Sequence, residues 1–210
     1  MLVRKRMSKN PITTTPDASV PDALKVMQGS KVRQLPVLGV DGALVGIVSL
    51  TDLFRASPSP ATSLSIWEVD YLLEKIKVSE VMTRKVITVT EDTAVEEAGR
   101  IMTEAKVSGL PVMRDGELVG IITESHLFNV LVDVFGARQA GVRVTAEMPL
   151  TKGGLAKLSG AVADIGGCFV AFTESVDEGT VTFKVRDVAR ENLLKTLEPL
   201  VTRIVDVRET

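Results

Sequence analysis

Apolar and polar positions along this chain follow two patterns, and the first occurs twice. Val45-Gly46-Ile47-Val48 is a short apolar run bounded by turn signals, as a buried strand would be. Ser49 closes it, and Leu50-Thr51-Asp52-Leu53-Phe54 opens a helix. Upstream, Val20, Ala23, Leu24 and Met27 share one face at helical spacing. Asp17 stands where an N-cap is expected, Pro21 falls in the first turn, and Gly29 marks the end. Pro11-Ile12-Thr13-Thr14 reads as a short strand and residues 33–38 as another. Val40-Asp41-Gly42-Ala43 carries the Asp-Gly signal of a hairpin turn. The unit is therefore strand, helix, strand, turn, strand, helix.

The same unit returns. Val119-Gly120-Ile121-Ile122-Thr123-Glu124-Ser125-His126-Leu127-Phe128 restates residues 45–54, with Gly120 lying 74 positions after Gly46. Leu35-Pro36-Val37 recurs as Leu110-Pro111-Val112 and Met7 as Met82, now 75 positions on, because one residue is inserted near Gly39-Val40. Self-similarity over such a span means one supersecondary unit used twice. Each copy is too small to bury a good core alone, so the two are expected to pack together and leave a cleft between them.

A different pattern starts at Gly141. Val142, Val144, Ala146 and Met148 alternate with Arg143, Thr145 and Glu147, as in a half-buried strand that Pro149 stops. Leu155, Leu158, Val162 and Ile165 make a helix face. Strands follow at 168–175 and 180–185, then a helix with Leu193, Leu194, Leu197 and Leu200, then a strand at 203–207. This βαββαβ order is the ferredoxin-like arrangement. Between the repeats, Ser57-Pro58-Ser59-Pro60 breaks the chain, and Val69, Leu72, Leu73 and Ile76 mark a helix. Trp67 and Tyr71 sit one turn apart on it, expected to pack under the repeats or to line a dimer contact. The expected domains are 1–56 and 78–136 for the repeats, 57–77 for the linker helix, and 141–210 for the C-terminal domain.

Composition narrows the class without changing this picture. The 210 residues are 45% hydrophobic and 25% charged, with a net charge of −2, so no general attraction to nucleic acid or membrane is implied. Arg4-Lys5-Arg6 is read as a solvated basic run. No apolar run approaches the ~20 residues that span a bilayer, and no signal-peptide core follows the N-terminal charges, so a cytoplasmic protein is expected. Cys168, the one cysteine, lies in an apolar strand and reads as an inert core thiol.

The candidate chemistry sits where strand hands over to helix. Ser49, Thr51 and Asp52 gather at free backbone N–H groups and the positive end of a helix dipole, which favour anions. An ionised Asp52 can accept from both hydroxyls of a ribose; equally, Ser49 and Asp52 can simply cap the helix. In the second copy His126 stands where Asp52 would. No nucleophile elbow, Walker loop or metal-ligand cluster is present, so no catalytic or metal-binding residue is expected.

The Gly-apolar-apolar-Ser/Thr-x-x-Asp run, preceded by Leu-Pro-Val and a Gly-turn, resembles the cystathionine-beta-synthase (CBS) motif. Two in tandem, over roughly residues 1–136, resemble a Bateman module. The tail is similar to an ACT domain, with Thr151-Lys152-Gly153-Gly154-Leu155 in place of its usual Asp-x-Pro-Gly loop. The combination resembles the acetoin utilisation protein B family. This implies an α+β chain, two CBS repeats followed by a βαββαβ ACT domain. It also implies a homodimer and a regulatory ligand, either an adenine nucleotide (AMP, ADP or ATP) or S-adenosylmethionine, bound between the repeats. Carried onto this sequence, site A combines Ser49, Thr51 and Asp52 with Thr93, Ala98, Val107, Ser108, Gly109, Leu110 and Pro111, and with Arg33 facing the phosphate. Site B combines Thr123, Ser125 and His126 with Ala18, Ala23, Val32, Arg33, Gln34, Leu35 and Pro36; here His126 replaces the ribose acid and Ala18 a threonine. The expected function is a non-enzymatic regulator that senses an adenosine nucleotide and relays it to the ACT domain or a partner, in acetoin metabolism. The alternatives are an amino-acid sensor using the loop at Lys152–Leu155, and an enzyme of acetoin metabolism.

Overall fold

The computed structural model describes residues 1–56, 72–148, 152–175 and 177–210. Ser57-Pro58-Ser59-Pro60, Trp67, Val69, Tyr71, Pro149 and Thr151 lie outside the described residues. The chain divides into two compact units, Met1–Leu127 and Phe128–Thr210.

In the first unit the chain forms β1 (Ser8–Lys9), α1 (Val20–Ser30), β2 (Gln34–Leu38), β3 (Leu44–Ser49) and α2 (Leu50–Ala56). It continues through α3 (Val78–Val81), β4 (Val89–Thr90), α4 (Val95–Ala105), β5 (Gly109–Arg114) and β6 (Glu117–Thr123) into α5 (Glu124–Val134), whose last seven residues belong to the second unit. Each repeat supplies an antiparallel hairpin, β2–β3 and β5–β6. The stripe at helical spacing is buried as its period requires: Val20, Ala23 and Met27 pack with Leu35, Val37, Val48 and Leu53. Val95, Ala98 and Met102 are buried at the corresponding places in the second repeat. Each buried Val, Leu or Met among them contributes about 1.5–3 kcal/mol on leaving water, and each Ala less.

The opening segments of the two repeats are exchanged. β1 of the first repeat pairs antiparallel with β6 of the second, Ser8 opposite Ile121. Thr83 of the second repeat pairs with Ile47 in β3 of the first, through reciprocal backbone bonds of 2.9 and 3.0 Å. The pattern extends outward. Val3 N–H donates to Thr93 O at 2.9 Å, and Val78 N–H to Ala18 O at 2.9 Å. Each repeat thus satisfies backbone groups that the other leaves unpaired.

Three expected boundaries move. The N-cap of α1 is Ser19, whose Oγ accepts from Asp22 N–H at 3.2 Å, while Asp17 is exposed. Pro21 has no N–H to offer, so the first free donor is that of Asp22, beyond the reach of Asp17. Helix α1 runs through Gly29 and ends at Lys31, in the left-handed region at φ 55°; Lys106 ends α4 with the same φ. Of the strand expected at residues 11–14, only Thr14 pairs, with Val37.

The second unit contains β7 (Val142–Glu147), α6 (Gly154–Asp164), β8 (Cys168–Ser175), β9 (Thr180–Arg186), α7 (Arg190–Leu197) and β10 (Arg203–Glu209). The four strands form one antiparallel sheet in the order β10-β7-β9-β8. Val142, Val144 and Ala146 face Leu158, Val162, Leu193 and Leu197 in its core. Cys168 is exposed, contrary to the expected core thiol. It is the first residue of an edge strand, and the inward position falls to its neighbour Phe169, whose ring lies 5.6 Å from that of Phe183.

Candidate functional site

Two strand-to-helix junctions have the same construction. At the first, Asp52 Oδ2 accepts from Ser49 N–H at 2.9 Å and from Ser49 Oγ at 2.6 Å, and Asp52 N–H donates to Ser49 Oγ at 3.2 Å. At the second, His126 Nδ1 accepts from Thr123 N–H at 3.0 Å, with Thr123 Oγ1 also at 3.0 Å. The first N–H of each helix is anchored the same way, Leu50 N–H to Arg33 O at 2.8 Å and Glu124 N–H to Ser108 O at 3.1 Å. Asp52 and His126 therefore both serve as caps.

They differ in what remains. Among the described residues Oδ1 of Asp52 takes no hydrogen bond, so an acceptor is left over. His126 has none. A backbone N–H can only donate, so Nδ1 must be unprotonated and the ring proton sits on Nε2, 3.2 Å from Ser8 Oγ. Burial pushes the imidazole below its ordinary pKa of 6.5, which keeps it in this neutral form.

A cavity of about 530 Å³ opens beside His126. Thr123, Ser125 and His126 line one wall; Val32, Arg33 and Gln34 line another. Of the residues expected at site B these six meet here. Leu35 and Ala23 are fully buried, Pro36 is buried and Ala18 half-buried, none of them in the lining. Arg33 and Ser108, expected at site A, line this cavity too, and Gln34 Nε2 donates to Ser108 Oγ at 2.7 Å. Ser8, Lys9 and Lys31 are lining residues that the motif reading did not include. The signal for the first two was the recurrence of Met7 as Met82, which marks the segment that crosses to the other repeat.

Of the remaining site A residues, Thr51 is exposed and Val107 half-buried. Thr93 Oγ1 accepts from Thr90 N–H at 3.1 Å in the turn before α4. Ala98 and Leu110 are fully buried, and Gly109 and Pro111 are buried in β5. A side chain on Gly109 would collide with the Gln34 amide.

The CBS domain family matches residues 3–59 and 78–133, so this chain belongs to that family and carries a tandem CBS pair, the Bateman module. Among solved structures, it is similar to the CBS domain pair of protein MJ0100 in complex with 5′-methylthioadenosine and S-adenosyl-L-methionine. That match has 30% identity and a TM-score of 0.53, over 66% of this chain and 98% of that one. CBSX2 in complex with AMP is 32% identical, with a TM-score of 0.51 over 62% of this chain and 96% of that one. A candidate acetoin utilization protein (AcuB) from Vibrio cholerae is 27% identical, with a TM-score of 0.54 over 66% and 96%. Adenosine compounds are thus the ligands of two of these solved CBS proteins. Among the described residues, no helix is long and apolar enough to cross a membrane.

Proposed function

We propose that this chain is a non-enzymatic sensor that binds an adenosine nucleotide of the AMP, ADP or ATP class between its CBS repeats. One observation carries the reading: Asp52 is held by Ser49 at a strand-to-helix junction with Oδ1 left over, an acceptor suited to a ribose diol. The complexes of related CBS pairs with AMP and with S-adenosyl-L-methionine support the ligand class. Site A, around Asp52, is the diol-reading site.

Binding would be relayed to the C-terminal unit, whose βαββαβ order and β10-β7-β9-β8 sheet support an ACT-like domain. Helix α5 supports that route, because its first turn carries His126 and its last residues belong to the C-terminal unit. A homodimer is expected, as in Bateman modules generally. The likeness to the Vibrio cholerae structure supports a place in acetoin metabolism. A thermal-shift screen with AMP, ADP, ATP, S-adenosylmethionine and free amino acids tests the reading, since a ligand bound by the native state alone raises apparent stability. Stabilisation by the adenosine compounds supports it; stabilisation by an amino acid alone contradicts it.

A further inference from the structure

The cavity beside His126 differs in chemistry from the Asp52 junction. Lys9, Lys31 and Arg33 stand around it against one carboxylate, Glu124, and none of the three cations is ion-paired among the described residues. Val32, Ile12 and Ile121 supply apolar wall. Its volume of about 530 Å³ falls within the range of small-molecule sites. The group that would read a ribose diol is gone. The Nδ1 lone pair of His126 is taken by Thr123 N–H, and Nε2 carries the proton. A diol offers two O–H donors and meets a donor at Nε2 instead of a carboxylate.

We propose that this cavity is a phosphate-reading site: it takes the phosphoryl group of a mononucleotide-sized ligand and is indifferent to the sugar diol. The inference rests on the nucleotide-sensor reading above and assigns its second site a different selectivity from the first. Arg33 and Lys31 hold the phosphoryl oxygens through charge-assisted bonds, and Ile12, Val32 and Ile121 cover the base. The cap geometry also shows what reverses the selectivity. Asp52 occupies the same place after Ser49 that His126 occupies after Thr123, so an aspartate at 126 can cap α5 and leave an acceptor free.

His126 is the only histidine in the chain, so its imidazole protons give isolated NMR lines at the site in question. The test is a titration of the tag-free full chain with AMP, 2′-deoxy-AMP and adenosine, following those lines, with calorimetry on the same samples. AMP and 2′-deoxy-AMP are expected to move the lines with midpoints within about twofold of each other, and adenosine to leave them in place at the same concentrations. Arg33→Ala should weaken the AMP response at His126 by about tenfold, a charge-assisted contact being lost. His126→Asp, followed by calorimetry, should make the second site prefer AMP over 2′-deoxy-AMP. Adenosine moving the lines as AMP does, or 2′-deoxy-AMP binding about tenfold more weakly there, overturns the proposal. So do still lines while calorimetry detects nucleotide, a result that leaves the sensor reading intact. Silence in both measurements overturns both.

Discussion

Met7 lies over Gly120: its Sδ is 2.5 Å from the point a Cβ on that glycine would occupy, and Ser8 O is 3.0 Å from the same point. Met82 stands in the same relation to Gly46, with Sδ at 2.5 Å. In each case the methionine of one repeat rests on the glycine of the other. The glycines are thus required by close approach of an exchanged segment, since neither has the positive φ that would itself call for glycine.

Gly120→Ala is expected to destabilise the protein by about 1–3 kcal/mol, the range for overpacking. Gly46→Ala should cost less, because there only a flexible thioether must move, whereas at Gly120 the backbone of Ser8 also crowds the site. Urea unfolding of both variants checks the order. Met7→Ala combined with Gly120→Ala should be less destabilising than the sum of the two single changes, because the pair is in contact.

Much of this exchange was visible in the sequence without being interpretable. The recurrences of Gly46 as Gly120 and Met7 as Met82 mark one module used twice, and the hairpins, α1, α4 and the C-terminal βαββαβ order follow from apolar periodicity. Periodicity describes a segment and its own face, and says nothing about which neighbour completes a sheet. The crossing of β1 to β6 was therefore hidden, and with it the placement of Ser8 and Lys9 beside His126. Ser19 was missed as a cap because Pro21 shifts the available donor to Asp22. Cys168 was misplaced because an apolar run does not reveal which of its ends emerges at a sheet edge. The Ser49–Asp52 pairing was legible, since a hydroxyl and a carboxylate three apart at a helix start have few other partners.

His126 adds a pH dependence of known sign. Its pKa is lowered in the folded protein, so the unfolded chain takes up the proton first. Above pH 6.5 both states are neutral at this residue and its contribution is complete. Stability is then lost as pH falls from 6.5 toward the lower folded value. Lys9, Lys31 and Arg33 around the same cavity oppose protonation, and Glu124 alone favours it. Thermal unfolding of the parent and of His126→Asn between pH 7.5 and 5 should show an extra loss on acidification in the parent only. Parallel curves would contradict the assignment.

Truncation after Gly136 should leave a folded, nucleotide-binding protein, since both CBS matches, 3–59 and 78–133, and the lining of the His126 cavity lie before that cut. The truncated chain loses Lys184, whose buried ammonium donates to Gly136 O at 3.0 Å, so the end of α5 should fray. Faster amide exchange at residues 128–136 with unchanged nucleotide affinity is the expected result. Loss of affinity would mean that the C-terminal unit completes the site.

Asp52 is proposed to read the ribose, and titration calorimetry paired with an unfolding measurement separates that role from helix capping. Two bonds from a diol to one carboxylate, partly offset by its desolvation, are worth about 3 kcal/mol, or roughly 100-fold in affinity. Asp52→Ala should weaken the tighter of the nucleotide sites by about that factor, while losing the cap lowers stability by only about 1 kcal/mol. An Asp52→Ala protein that is less stable but binds AMP, ADP and ATP as tightly as the parent would contradict the claim and leave Asp52 a helix cap alone.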